Sequence, residues 1–161
     1  MLRHLFDFPG AAVLQNLHPL VVHFPLAFLL GATALYLAAA LARRENWAWV
    51  ALWMLALGAL SATAAIRTGL AAGTSVMVAP AVRARILLQH EHLMLTAWGL
   101  SLGLLGWAIL APPMPRRGAL AFLALLLLMA GVLVKGADYG AWMVFGYNAG
   151  GSLPQPIEFS S

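Results

Sequence analysis

The stretch NLHPLVVHFP, residues 16–25, opens a long apolar run that continues to Ala42. About 20 apolar residues cross a hydrocarbon layer of about 30 Å at about 1.5 Å per residue, so the run predicts a membrane-spanning helix. Pro19 fits the first turn of that helix, where a backbone N–H has no helical partner to lose. The stretch also holds two histidines. An ionisable side chain at the mouth of a membrane helix is a functional candidate, because it is costly there unless something holds it.

The composition of the 161-residue chain places it in a membrane rather than in water. Hydrophobic residues make up 63% and charged residues only 9%, which leaves too few polar side chains to cover a soluble domain. The net charge of +4 comes mostly from arginines in short loops, which suits membrane lipid better than nucleic acid as a partner. The absence of cysteine excludes disulfides, thiolate metal sites and covalent c-type haem. No cleaved signal peptide is expected at the start.

Three further apolar runs predict an all-α fold, a polytopic membrane four-helix bundle with a single domain. The spans are predicted at about 19–42, 46–67, 90–111 and 118–136, from the length that a helix needs to cross a bilayer. A short segment, 1–17, precedes them, and an extended tail, 151–161, follows. Tight basic breaks are expected at about 43–46 and 112–117. The break at about 68–88 is expected to be part loop and part interfacial helix that begins near Pro80.

The arginine pairs predict how the chain is oriented. Four crossings place both termini on the same side of the membrane. The hairpins after spans one and three hold Arg43-Arg44 and Arg116-Arg117 close to the membrane ends. Positive side chains in short loops favour the cytoplasm. We therefore expect a multi-pass protein of the bacterial inner membrane with both termini in the periplasm.

Spans one and three run in the same direction, so the histidines at their N-terminal ends meet at one interface. These histidines are His18, His23, His90 and His92. Histidines at one depth in a four-helix bundle are typical of b-type haem sites, where imidazoles from facing helices ligate the iron. Within each pair the residues are about 140° and about 200° apart around a helix, so at most one of each pair can point at a common centre.

Three uses of these histidines agree with the sequence: a haem or other metal site, a proton or quinone site, and hydrogen bonds to backbone and lipid alone. For haem b we expect His23 to face His92, ahead of His90, because His92 lies closer to the charge-free run of span three. The other polar groups at this end are expected near water, beside the ligands or paired with the haem propionates, namely His18, Glu91, Arg83 and Arg85.

The chain also resembles a known family. LHPLVVHFP, residues 17–25, is similar to the opening pattern of a bacterial family of small four-helix membrane proteins catalogued as domain of unknown function 2231. TGL at 68–70, a histidine that opens span three, and GAWMVFGY at 140–147 are similar to its later patterns. The chain departs from the family at Ala141, Phe145 and Tyr147, where Gly, Tyr and His are usual.

The resemblance covers about residues 16–150 and implies the four-helix topology. Relatives are found fused or adjacent to cytochrome-like electron-transfer modules, which implies a redox role.

Two functional hypotheses follow. The first is an integral membrane redox subunit that binds b-type haem or handles quinone through these histidines and passes electrons to a membrane or periplasmic partner. The alternative is a non-catalytic membrane anchor or accessory subunit of a larger complex, bound through small-residue helix faces such as Gly99 and Gly103. The sequence contains no nucleophile–base triad, phosphate loop or metalloprotease motif, so no catalytic residue is assigned and a stand-alone enzyme is disfavoured.

Overall fold

The computed structural model describes residues 17–76 and 78–149, which contain four long helices and no strand. These are α1 (His18–Ala42), α2 (Glu45–Ser75), α3 (Pro80–Leu110) and α4 (Ala119–Tyr147), and each is long and apolar enough to cross a membrane. A turn at Val22 divides α1 into His18–Val21 and His23–Ala42. Within α3, the residues Arg83–Leu87 form a π-helical turn. The predicted all-α polytopic fold is confirmed.

The helices form an up-and-down bundle in which each packs against its neighbours in chain order, and α4 closes the ring against α1. Neighbouring helices are antiparallel, as the contacts between α1 and α2 illustrate: Leu29 meets Gly58, and His18 meets Gly69. The N-terminal ends of α1 and α3 therefore share one end of the bundle. We call it the histidine end, for His18 and His90, and we call the opposite end, with Arg43 and Arg116, the arginine end.

The core is small and apolar, with a few hydroxyls whose hydrogen bonds are satisfied locally. Leu29, Leu55 and Met129 are almost completely buried. Buried Thr33 donates to the carbonyl of Leu29 at 2.9 Å within its own helix, the usual solution for a hydroxyl with no water nearby. At Gly58 a Cβ would lie 2.5 Å from Cδ2 of Leu29, so glycine is what lets α1 and α2 approach this closely.

The outer surface of the bundle is itself apolar. Leu41, Leu110, Leu120 and Phe145 are each at least 85% exposed. An apolar surface that surrounds an apolar core is stable in lipid and not in water. The protein is therefore a multi-pass membrane protein.

The helices are longer than the predicted spans. The two basic hairpins lie where they were expected, but α2 continues through Gly69 and Gly73 to Ser75, and α4 continues through Gly136 and Gly140 to Tyr147. Helix α3 does begin at Pro80, but without a loop before His90. Glycine lowers helix propensity by only about 1 kcal/mol, and tertiary packing readily outweighs that. Each of these four glycines receives a side chain from a neighbouring helix.

Segment 1–17 and tail 151–161 lie outside the described residues, apart from Leu17.

Candidate functional site

His18 begins α1 and leans against α2 at the histidine end. The half-buried ring lies over Gly69, where a Cβ would be 2.9 Å from the ring atom Cε1. Its Nδ1 is 3.1 Å from the hydroxyl oxygen of Thr68. That hydroxyl points its own hydrogen at the carbonyls of Ala64 and Ala65, each at 3.1 Å, so it accepts from Nδ1–H of His18.

His90 lies in α3, and its ring packs against α4 as the ring of His18 packs against α2. Its Nδ1 donates to the carbonyl of Gly136 at 2.8 Å, and a Cβ at Gly140 would be 3.1 Å from its Cε1. A carbonyl can only accept, so Nδ1 carries the proton and Nε2 carries the lone pair. Histidines that bind metals usually have this arrangement, with one ring nitrogen donating to a carbonyl and the other facing the metal.

His18 and His90 lie at the same end of the bundle, and both are half-buried. They come from helices α1 and α3, which lie diagonally across the bundle, while Gly69 of α2 and Gly140 of α4 make room for them from the other two sides. All four helices therefore contribute residues around these two histidines at the histidine end.

The structure does not bring His23 and His92 together within the bundle. Both side chains are exposed on its outer surface. Their spacing explains this, because a residue about 140° from His18, or about 200° from His90, must face outward once those rings turn inward. This arrangement does not support the expectation that His23 faces His92, and the half-buried histidines at this end are His18 and His90.

Arg83 and Arg85, which were expected to pair with haem propionates, do not point to such a site. Arg83 donates to the carbonyls of Gly73 and Val76, at 2.6 and 2.8 Å, and so satisfies helix-terminal acceptors at the end of α2. Arg85 is exposed. Glu91 is half-buried, with Oε1 against Gly73. Glu91 and Arg83 thus meet the same residue of α2, beside the histidine pair.

Sequence reasoning overlooked the residues that hold the rings. None of the four residues Thr68, Gly69, Gly136 and Gly140 carries a charge. Thr68 and Gly69 lie in the predicted break at 68–88, Gly136 is the last residue of the fourth predicted span, and Gly140 lies beyond it. The available signal was their depth, because all four lie within about one helical turn of a predicted span end, level with a histidine on the neighbouring helix. A π-helical turn just before His90 is a further feature that often accompanies functional sites, and the sequence gives no sign of it.

The donor set limits which metal centre is possible. Within residues 17–76 and 78–149, no group of three or more His, Cys, Asp or Glu side chains could hold a metal ion by itself. A b-type haem requires only two imidazoles from the protein, since the macrocycle supplies the remaining ligands. The donor types at this end are therefore compatible with haem and too few for a fully protein-bound ion.

Comparison with known families gives one result. The family model described as predicted membrane protein (DUF2231) matches residues 14–152, which include the histidine end and all four helices. No curated protein and no solved structure matched the chain. The family resemblance inferred from the opening stretch is thereby confirmed. The chain belongs to the DUF2231 family of predicted membrane proteins.

Proposed function

We propose that the protein is an integral membrane redox subunit that binds b-type haem through His18 and His90 and passes electrons to a partner at the histidine end. The observation that carries this proposal is that two diagonal helices each place one half-buried imidazole at the histidine end. Each ring has Nδ1 held by a hydrogen-bond acceptor on an adjacent helix. Bound haem would supply a reversible one-electron couple. His18 and His90 would hold it, and Thr68 and the carbonyl of Gly136 would orient their rings.

The surroundings of these histidines are closely packed. Four glycines line this end, and the side chains of His18, Glu91, Met94 and His90 fill the space beside them. The site lies where α1 begins, within short reach of the membrane surface. A partner outside the membrane could therefore exchange electrons with it without a long path through the bundle.

The test is the absorption spectrum of the protein purified from cells supplied with a haem precursor. The wild type should show a Soret band and, on reduction, sharp α and β bands. His18→Ala and His90→Ala should each lose most of the haem, because no covalent bond retains it. His23→Ala and His92→Ala are matched controls, since they remove exposed histidines at the same end and should leave the haem content unchanged.

Two results would contradict the proposal. A wild-type preparation that stays colourless after incubation with hemin would exclude haem, and organic extraction would then show whether quinone copurifies instead. If His23→Ala and His92→Ala lose the colour while His18→Ala and His90→Ala keep it, the wrong pair of histidines has been assigned.

A second candidate, the accessory subunit without a cofactor, is favoured by one observation. Gly99, Gly103 and Gly106 form a line on α3, and no described atom lies within 4 Å of a Cβ built on any of them. Such a face permits close approach of a helix from outside the bundle.

This candidate predicts a colourless protein that copurifies with a stoichiometric subunit, and Gly103→Ile should release that subunit. Gly131→Ile on α4, where a Cβ also meets open space, is the matched control. A subunit that stays bound in Gly103→Ile would exclude this face as the contact.

A further inference from the structure

A cleft of about 250 Å³ opens at the arginine end, between the α1–α2 hairpin and the α3–α4 hairpin. Its rim carries Arg43, Arg44 and Arg116, and its wall beneath the rim includes three alanines and Met114. An adjoining cleft of about 410 Å³ shares Met114 and Arg116 and adds Arg117. The end of the bundle therefore offers guanidinium groups from both hairpins above an apolar floor.

The positive charge of this rim is largely uncompensated. Glu45 is the one carboxylate among the residues that line the cleft, and its Oε2 is 4.0 Å from Nη2 of Arg116. The side chains are 64% and 89% exposed, and an ion pair this long and this exposed contributes little. Three arginines thus face one carboxylate, and guanidinium groups bind phosphate oxygens with two parallel hydrogen bonds.

The cleft lies at the depth of lipid headgroups. It is formed where α1 ends at Ala42 and α2 begins at Glu45. The first turns of α2 carry Trp47 and Trp49, both more than 40% exposed, and tryptophan concentrates at the membrane–water interface. A ligand that combines a phosphate with hydrocarbon would match both the rim and the floor.

The two hairpins are held in place relative to each other. The hydroxyl of buried Tyr36 in α1 donates to the carbonyl of Pro113 in the α3–α4 hairpin at 3.0 Å. The Tyr36 ring also packs edge-to-face on Phe122 of α4, with centroids 5.1 Å apart. This contact fixes the hairpin that bears Arg116 against the helix that leads into Arg43.

The backbone at Arg43 adds an independent indication. Arg43 has φ 52°, in the left-handed region, where the C-terminal residue of a helix is usually glycine. An arginine rather than a glycine in this strained backbone conformation indicates that the side chain of Arg43 has a function.

From these observations we propose that the arginine end binds the headgroup phosphate of an anionic glycerophospholipid, with Arg43, Arg44 and Arg116 on the phosphate and the acyl chains along the apolar floor. Basic pockets between membrane helices bind anionic headgroups in this way. The site lies at the opposite end of the bundle from the two histidines, so lipid binding can be tested independently of haem binding.

The experiment is native mass spectrometry of the intact protein in detergent, titrated with phosphatidylglycerol and, separately, with phosphatidylcholine. The wild type should bind phosphatidylglycerol preferentially. Arg43→Gly and Arg116→Gln should each weaken that binding by about five-fold, the effect expected of one arginine near a headgroup. Arg43→Gly also relieves the left-handed backbone, so its melting temperature in detergent should not fall, and lost binding cannot then be ascribed to unfolding. Arg67→Gln, an exposed arginine in the half of α2 nearer the histidine end, is the matched control and should bind as the wild type does.

Three outcomes would overturn the proposal. Equal binding of the two lipids would mean ordinary solvation by lipid, and unchanged binding in both arginine variants would mean that these side chains take no part. Inorganic phosphate or glycerol 3-phosphate that displaces the lipid at equal concentration would show a site for free phosphate, with no role for the acyl chains.

Discussion

At the scale of single residues, the candidate site depends on two glycines as much as on two histidines. A Cβ at Gly69 or Gly140 would lie 2.9 or 3.1 Å from the imidazole of His18 or His90, closer than side chains normally pack. The four histidines and their common end could be predicted from the sequence, as could the rule that at most one of each pair faces inward. Which one does so depends on the glycine of the neighbouring helix, and that relation exists only after the helices pack.

These glycines give a residue-scale prediction. Gly69→Ala and Gly140→Ala should push the rings aside and lower the haem retained per protein, measured as the pyridine haemochrome. Gly131→Ala, where a Cβ meets open space, should retain full haem and lose no stability, because alanine favours a helix by up to about 1 kcal/mol over glycine. Equal haem in all three variants would show that the rings are not held as described.

Tyr36 gives a second residue-scale prediction. Tyr36→Phe keeps the ring contact with Phe122 but removes the donor to the carbonyl of Pro113. The free energy of unfolding should fall by about 1 kcal/mol, since the buried carbonyl loses its partner. Thermal unfolding in detergent, with exposed Tyr147→Phe as the control, measures this change. A variant as stable as the control would mean that the hydrogen bond contributes nothing.

At the scale of elements, the four helices were predictable and their lengths were not. Run length fixes where the chain is apolar enough to cross the membrane, and the Arg-Arg and Pro-Pro pairs mark the two short hairpins. After Arg67 the hydropathy decreases and glycines appear, a pattern that predicts the end of the helix. The helix continues there because His18 and Glu91 pack against Gly69 and Gly73, and Arg83 satisfies carbonyls at its end.

The role of Arg83 can be tested at this scale. Arg83→Ala removes the donors to the carbonyls of Gly73 and Val76, so the last turn of α2 should fray. Hydrogen–deuterium exchange should become faster in peptides that cover 70–76, and the rest of α2 should be unaffected. Arg85→Ala, which removes an exposed arginine from the same π-helical turn, should leave the exchange unchanged. Equal exchange in the two variants would show that Arg83 does not hold this end.

At the scale of the whole molecule, the bundle has two chemically different ends. The histidine end holds the paired imidazoles, and the arginine end holds both basic hairpins. The hairpin arginines favour placing the arginine end in the cytoplasm and the histidine end in the periplasm.

The natural absence of cysteine makes this orientation easy to test with single engineered thiols. Gln89→Cys, exposed at the histidine end, should react with a membrane-impermeant maleimide in cells whose inner membrane is intact. Asn46→Cys, exposed at the arginine end, should react only after that membrane is permeabilised. The reverse pattern would place the histidine end in the cytoplasm and leave the bundle itself unchanged.

The central claim is that His18 and His90 together hold one redox centre. Electron paramagnetic resonance of the oxidised protein tests it most directly, because two axial imidazoles give a low-spin ferric signal. The wild type, His23→Ala and His92→Ala should share that signal, whereas His18→Ala and His90→Ala should each lose it and show a high-spin or haem-free protein. A low-spin signal that persists when both His18 and His90 are replaced would contradict the claim.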